Sequence, residues 1–435
     1  MAREYKDSGI EWIGQIPKEW RIVPFKAYFT TGKGLSFTKA DLTPQGHAVV
    51  SYGQVHSKVN TGTRLDDFLL RYVPDSITAN GESSKMNKGD FIIADTSEDL
   101  EGCGNCVYVD RDIELYAGYH SVTAKPKVQD NNKFFAYYFQ TPCWRSQIRS
   151  RVTGIKVYSI SQSIINQTWL FVPPLLIQQK IADYLDKVCG EADEMIALQE
   201  KMIEELKAYK QSIITEAVTK GLNPNVPMKN SSIDWIGEIP EHWKLYQFRR
   251  IFEIKKQIAG VLGYDVLSVT QGGIRVKDLT KNEGQIAQDY SKYQLVDVDD
   301  YVMNHMDLLT GYVDCSTQSG VTSPDYRVFR ALNKPLISLS YYLRIFQTCY
   351  KEKIFYHLGQ GVSGMGRWRL PAEQLKLFVL PMPPLSEQCQ IASYLDTKCS
   401  EIDSLIAIKQ QKIAELKEYK KSVIYEYVTG KKEVV

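Results

Sequence analysis

The sequence predicts an α+β chain built twice over. Two globular modules of mixed α/β structure are separated by two long helices, which pair as an antiparallel coiled coil with pseudo-twofold symmetry. Three observations predict this. Trp12-Ile13-Gly14, Ile16-Pro17 and Trp20 return as Trp235-Ile236-Gly237, Ile239-Pro240 and Trp243. A longer run, Pro173-Pro174-Leu175 with Gln178, Ile181-Ala182 and Tyr184-Leu185-Asp186, returns as Pro383-Pro384-Leu385 with Gln388, Ile391-Ala392 and Tyr394-Leu395-Asp396. Each longer run opens a proline-free stretch with apolar residues at helical spacing. Two similar modules about a pseudo-twofold axis suit a partner that is itself nearly symmetric, such as duplex DNA.

In chain order the expected parts are a module over 1–172, a helix over 173–221, a second module over 222–382 and a second helix over 383–431. In the first module, Phe91 to Ala94 and Tyr108 to Val109 are apolar, β-prone runs bounded by Asp and Gly. Phe134 to Phe139 is aromatic at near-helical density and reads as a helix packed on a sheet. The second module echoes these features. Tyr301-Val302-Met303 follows Asp300 as Phe91-Ile92-Ile93 follows Asp90, and Tyr341-Tyr342 and Phe346 echo Tyr137-Tyr138 and Phe139.

The helices carry the most regular pattern. Ile181, Leu185, Val188, Ala192, Met195, Met202, Leu206, Tyr209 and Ile213 form a heptad seam interrupted by Gln199. The second seam is Ile391, Leu395, Ile402, Leu405, Leu416, Tyr419 and Val423, broken by Lys398, Lys409 and Lys412. Double prolines suit a helix start, where a missing N–H costs nothing, and Ser386 is placed to cap the second helix. At 1.5 Å per residue, about 45 residues span roughly 65 Å. A helix that long cannot hide its stripe alone; the two copies can hide each other's, which makes a rigid spacer. Gly221-Leu222-Asn223-Pro224 stops the first helix and opens a linker.

Composition excludes several classes. The chain has 435 residues, 43% hydrophobic and 24% charged, as for a globular protein. No apolar run is long enough to span a membrane, and Met1 to Ser8 lack the apolar core of a signal peptide. Eight cysteines fit a reduced compartment, so the expected location is cytoplasmic. Cys103 and Cys106 have metal-site spacing but no second ligand pair, and read as part of a turn through Gly102 and Gly104. No Asn/Asp-Pro-Pro-aromatic loop is present to hold a flipped adenine. Thr31-Gly32-Lys33-Gly34 lacks the spacing of a dinucleotide fingerprint and reads as a tight turn; Gly430-Lys431-Lys432 is no P-loop. Glu205-Leu206-Lys207 and Glu415-Leu416-Lys417 read as ion pairing on a helix face, not as a nuclease centre. No metal and no catalytic residue is expected.

The net charge is only +2, but its distribution is uneven. Between Asp130 and Asp183 no acid occurs, while Lys133, Arg145, Arg149, Arg151, Lys156 and Lys180 do. From Arg327 to Ala372 only Glu352 is acidic, against eight Lys and Arg. Matching basic stretches in both repeats suggest two surfaces for duplex DNA, which binds through phosphates and is read at base edges. Thr153-Gly154-Ile155-Lys156-Val157-Tyr158-Ser159-Ile160 aligns with Ser363-Gly364-Met365-Gly366-Arg367-Trp368-Arg369-Leu370. Lys156, Arg367 and Arg369 are assigned to phosphate or base contacts, and Arg145, Arg149, Arg151, Lys351 and Lys353 to clamping the backbone. Tyr158 and Trp368 either stack on bases or belong to the core. Gly359-Gln360-Gly361 permits close approach of backbone to DNA.

The duplicated tryptophan and Pro-Pro-Leu motifs, each leading into a long helix, resemble the specificity subunit of type I restriction–modification enzymes, the HsdS family. The resemblance covers nearly the whole chain, in order. It implies that each module is a target recognition domain reading one half of a bipartite, asymmetric DNA sequence, and that the helix pair sets the gap between the halves. It implies a non-catalytic subunit that binds double-stranded DNA and recruits two adenine methyltransferase subunits and, in the full complex, restriction and translocase subunits. S-adenosylmethionine, ATP and Mg then belong to those partners. The outward helix faces, with Glu204, Lys207, Lys210, Glu415 and Lys417, are the expected docking surfaces. The competing reading is a coiled-coil scaffold that bridges other proteins without sequence-specific DNA binding.

Overall fold

The computed structural model describes residues 4–10, 14–127, 132–154, 156–278, 289–361 and 368–434. Trp12 and Ile13 of the first motif, Ile155, and residues 363–367 of the second aligned segment, including Arg367, lie outside the described residues. The chain forms two compact units, Met1–Gln199 with Gln411–Val435, and Glu200–Gln410. Each unit holds one module together with parts of both long helices.

The module sheets repeat one design. In the first, four antiparallel strands lie in the order Cys106–Tyr108, Phe91–Ala94, Ser121–Pro126, Phe29–Lys33. In the second, the order is Val313–Cys315, Tyr301–Met303, Arg327–Ala331, Phe252–Lys255. The central strands are buried on both faces because helices cover one side and a further small sheet the other, so they read as continuous apolar runs. Thr31-Gly32-Lys33 is therefore strand, not the turn expected from its glycines. Its apolar neighbour Phe29 is buried, and Phe25, Tyr28 and Phe29 pack with Phe135 and Phe139 in one aromatic cluster.

The further sheets differ. In the first module Arg71–Val73, His47–Val50, Leu115–Ala117 and Lys85–Met86 form four strands, with one parallel pair. In the second, among the described residues, the further strands form two-stranded pairs, Leu267–Thr270 with Gly273–Val276 and Gln294–Val296 with Gly320–Thr322. A shared frame with unlike additions is why the module interiors match poorly in sequence.

The helices run Leu175–Lys220 and Leu385–Val428, of 46 and 44 residues. Ser386 lies inside the first turn, not before it. The motif glutamines serve the helix starts instead: buried Gln178 and Gln388 donate to the Pro173 and Pro383 carbonyls, both at 2.9 Å. The motif aspartates tie each helix to its own module. Asp186 accepts a 2.5 Å bond from Tyr137 and pairs with Lys133, while Asp396 pairs with Arg344 at 2.7 Å. The tryptophans receive the helix ends. Gly221 and Gly430 adopt φ of +78° and +71°, open to glycine without a Cβ penalty, and pack on Trp243 and Trp20, both fully buried.

Within each unit the two helix segments lie antiparallel. In the first, Tyr184 meets Tyr427 with ring centroids 4.5 Å apart and Asp193 pairs with Lys420. In the second, Lys210 pairs with Asp403 at 2.6 Å and Lys409 donates to Met202. The buried stripe on the first helix keeps Ile181, Leu185 and Ala192 of the expected heptad and shifts by one residue elsewhere. It passes through Leu185, Cys189, Ala192, Ile196 and Ile203, whereas Met195 and Tyr209 face outward. On the second helix Ile391, Leu395, Ile402, Leu416 and Val423 are buried as expected, Cys399 joins them, and Leu405 and Tyr419 are exposed. Two successive four-residue steps near each helix start, Ile181 to Leu185 to Cys189, shift the frame, since an α-helix has 3.6 residues per turn and a strict heptad does not.

Candidate nucleic-acid interface

The described C-terminal ends of the two aligned segments, Tyr158–Ile160 and Trp368–Leu370, occupy equivalent places. In the first module Tyr158–Ser159 pairs antiparallel with Thr96–Ser97, and the Ile160 N–H donates to the Asp95 carbonyl at 2.7 Å. In the second, the Leu370 N–H donates to the His305 carbonyl at 3.0 Å. Asp95 follows the strand Phe91–Ala94 as His305 follows Tyr301–Met303 and Asn304. Each segment is thus docked on the loop that leaves the central strand.

Around this loop the first module gathers groups that its sequence did not single out. Phe37, Tyr119, Tyr52 and His120 form a ladder of rings, with centroids 4.9 Å, 5.7 Å and 5.5 Å apart in that order. His120 holds φ of +52°, a strained value for a non-glycine residue, and strain of this kind collects at functional loops. His56 bonds the Thr96 carbonyl at 2.8 Å and Asn105 at 3.1 Å. A cavity of about 600 Å³ is lined by Lys33, Phe37, Asp95, Tyr119 and His120. Another, of about 630 Å³, is lined by Tyr52, His56, Asn105 and Arg145. Histidines and single aromatics spread over separate chain segments give no periodic signal, so only the fold brings them together.

The basic candidates fall into different surroundings. Arg145 is half-buried; it donates to the Phe139 carbonyl at 3.0 Å and to Gln140 at 2.5 Å, and burial holds its guanidinium below the ordinary value. Arg149 donates to the Glu101 carbonyl at 2.5 Å and pairs with its carboxylate at 3.3 Å. Arg151 is exposed and donates to the Gln147 carbonyl at 2.5 Å. Lys156 is exposed and Tyr158 half-buried against the core.

In the second module Lys351 and Lys353 are exposed, Lys353 with φ of +58°. Partial withdrawal of the Lys351 amine from water, then the charges of Lys210 and Arg344, lower its pKa. Trp368 is half-buried and donates to the Tyr356 carbonyl at 2.7 Å. A Cβ on Gly359 would meet the Trp368 ring at 2.2 Å, so this glycine is needed to seat the tryptophan. Arg369 is exposed, its backbone paired with Gln360. Acids from elsewhere neutralise part of each acid-poor stretch: Asp186 at Lys133, Glu253 at Arg330, Asp299 at Lys334 and Asp396 at Arg344.

Cys103 and Cys106 are buried free thiols, and burial pushes Cys106 up to about 12, which keeps it protonated. Among the described residues no group of three or more His, Cys, Asp or Glu is placed to hold a metal ion, and no helix is long and apolar enough to cross a membrane.

The family described as "Type I restriction modification DNA specificity domain" matches residues 17–208 and again 240–418. The chain belongs to this family. The match falls twice, once over each module and most of the helix that follows it. This specificity-family chain is similar to a putative type I restriction enzyme MjaX specificity subunit of Methanocaldococcus jannaschii, 24% identical over 96% of this chain and 95% of that one. It is also similar to the type I restriction enzyme EcoKI specificity subunit of Escherichia coli K12, at 21% over 91% and 86%. In fold it resembles the HsdS subunit of Thermoanaerobacter tengcongensis, with a TM-score of 0.52 at 14% identity over 95% and 98% of the two chains. A chain from a structural study of the assembly and conformational transition of a type I R-M system gives 0.69, also at 14% and with the same coverage.

Proposed function

We propose that this chain is the DNA sequence-recognition subunit of a type I restriction–modification complex. Each module reads one half of a bipartite, asymmetric target, and the helix pair sets the unread gap. The observation that carries this reading is one sheet order and one docked segment used twice, with unlike side chains around each loop. A repeated frame gives each module the same way of meeting a duplex. Unlike loops make the two half-sites unlike, because base edges are distinguished by side-chain donors and acceptors.

The chemistry belongs to partners. Methyltransferase subunits bring S-adenosylmethionine, and restriction and translocase subunits bring ATP and Mg. The helices supply the docking surface. Met195, Leu198 and Tyr209 are exposed on the first helix, and their sequence counterparts Leu405, Ile408 and Tyr419 are exposed on the second. Apolar residues exposed in duplicate support two like partner subunits. Of the charged residues expected on this surface, Glu204 and Lys207 pair with each other at 2.8 Å, and Lys210 turns to Asp403.

The test is methylome sequencing of a host that carries this chain with its methyltransferase subunits. A two-part, asymmetric methylated motif with a fixed gap is expected. A continuous motif, or methylation that ignores sequence, would refute the reading. The mass of the assembled complex should correspond to two methyltransferase subunits per chain.

A further inference from the structure

Buried cations in proteins are paired, because an unpaired charge out of water is costly. Lys255 obeys this: it is buried between Asp297 at 2.5 Å and Asp300 at 2.8 Å. Arg327, in the neighbouring strand of the same sheet, does not. It is 8% exposed and donates to the Leu370 carbonyl at 3.0 Å. Among the described residues no carboxylate pairs with it. Burial alone lowers its guanidinium to about 10, below the ordinary arginine value.

Two further groups converge on the same peptide. Leu370 donates its N–H to the His305 carbonyl, and the His305 Nδ1 is buried without a partner. Arg369 precedes Leu370, is exposed and likewise has no carboxylate among the described residues. Burial, then the charges of Arg327 and Arg369, lower the His305 imidazole to about 4, so it is neutral at neutral pH. Two guanidinium groups and an unsatisfied imidazole nitrogen therefore gather at one peptide, and among the described residues no carboxylate pairs with either guanidinium.

The first module has the same frame and opposite chemistry. Val122 faces Ile93 across the sheet as Arg327 faces Met303. Asp95 stands where His305 stands, and Ser159 where Arg369 stands. The Asp95 carboxylate is occupied by Thr96 at 2.6 Å and lies 3.4 Å from His120. One copy of the site thus has a carboxylate where the other has an imidazole.

We propose that Arg369, Arg327 and His305 form a receptor for one phosphate of the DNA backbone, present in the second module only. Arg369 touches the phosphate from the surface, Arg327 supplies charge from beneath, and a guanidinium suits a phosphate's paired oxygens. This rests on the DNA-recognition reading above and adds a named contact to it.

The test measures binding by the assembled methyltransferase complex to a target duplex and to a mixed-sequence duplex over a range of salt. The variants are Arg369→Gln and His305→Asp, the latter copying the carboxylate of the first module. Both should bind roughly 10-fold more weakly, target and mixed duplex alike. The plot of log affinity against log salt should become shallower by about 0.9. Because Arg369 is exposed, its variant keeps the fold and carries the test even where His305→Asp disturbs the loop. Unchanged affinity and slope, with normal binding by the wild type, would overturn the receptor and leave the recognition reading standing. Loss confined to one base pair at unchanged slope would also overturn it, by making Arg369 a base reader. Failure of the wild-type complex to bind any duplex would remove both.

Discussion

Lys210 reaches Asp403 at 2.6 Å, and the counterparts of these residues in the duplicated sequence, Lys420 and Asp193, make the same pair in the other unit. When two repeats lie antiparallel, any contact between unlike positions arises twice. A lysine and an aspartate on the seam then favour the antiparallel register over a parallel one, which would set Lys210 against Lys420 and Asp193 against Asp403. Asp193→Ala and Asp403→Ala should each lower stability by about 0.5–1 kcal/mol, because both pairs are partly exposed. The loss should shrink at high salt. The reversed pair, Lys210→Asp with Asp403→Lys, should recover most of it. Denaturant midpoints at low and high salt measure this; a reversed pair no better than either single change would count against a specific contact.

The motif aspartates predict an unequal effect. Asp186 holds both Tyr137 and Lys133 and the Tyr137 side chain is buried, whereas Asp396 holds Arg344 near the surface. Hydrogen bonds to charged groups contribute about 1.5–3 kcal/mol, less where water competes. Asp186→Ala should therefore destabilise the chain more than Asp396→Ala. Amide exchange of the helix Asn132–Tyr138 should quicken in the first variant. Equal losses would mean that the buried phenol adds nothing.

These anchors also mark what the sequence can reveal. The repeated Pro-Pro, Gln, Ile-Ala and Tyr-Leu-Asp positions are legible because each does the same local work in both copies: starting a helix, burying a stripe, tying a module down. Where the seam on the first helix shifts by one residue, exposed Met195 is as apolar as buried Ile196, and composition cannot tell an exposed methionine from a packed isoleucine. Around the docked segments, Tyr158, Lys156 and Arg369 were legible as aligned positions. His120, Tyr52 and Arg327 were not, since sheet pairing between distant strands places them, and no local spacing encodes that pairing.

His305 predicts an acid-sensitive window. Its folded value is about 4 and its ordinary value 6.5. Between these, the unfolded chain takes up a proton that the folded chain refuses, so stability falls as pH drops from about 6.5 towards 4 and is fully present above. His305→Gln should flatten that part of the profile of urea midpoint against pH. If the slope between pH 6.5 and 4 is the same in the variant, the imidazole is not held neutral by its surroundings.

The helix ends give the last prediction. Gly221 and Gly430 share a left-handed backbone, so alanine at either costs roughly 1–2 kcal/mol from conformation alone. Their surroundings differ. A Cβ at Gly221 would stand 3.1 Å from the Trp243 ring, while one at Gly430 would stand 2.5 Å from Pro17 and 3.1 Å from Trp20. A proline ring cannot turn aside as a flexible side chain can. Gly430→Ala should therefore lower the melting temperature further than Gly221→Ala. If the two variants melt together, backbone conformation accounts for both and the Pro17 contact relaxes at no cost.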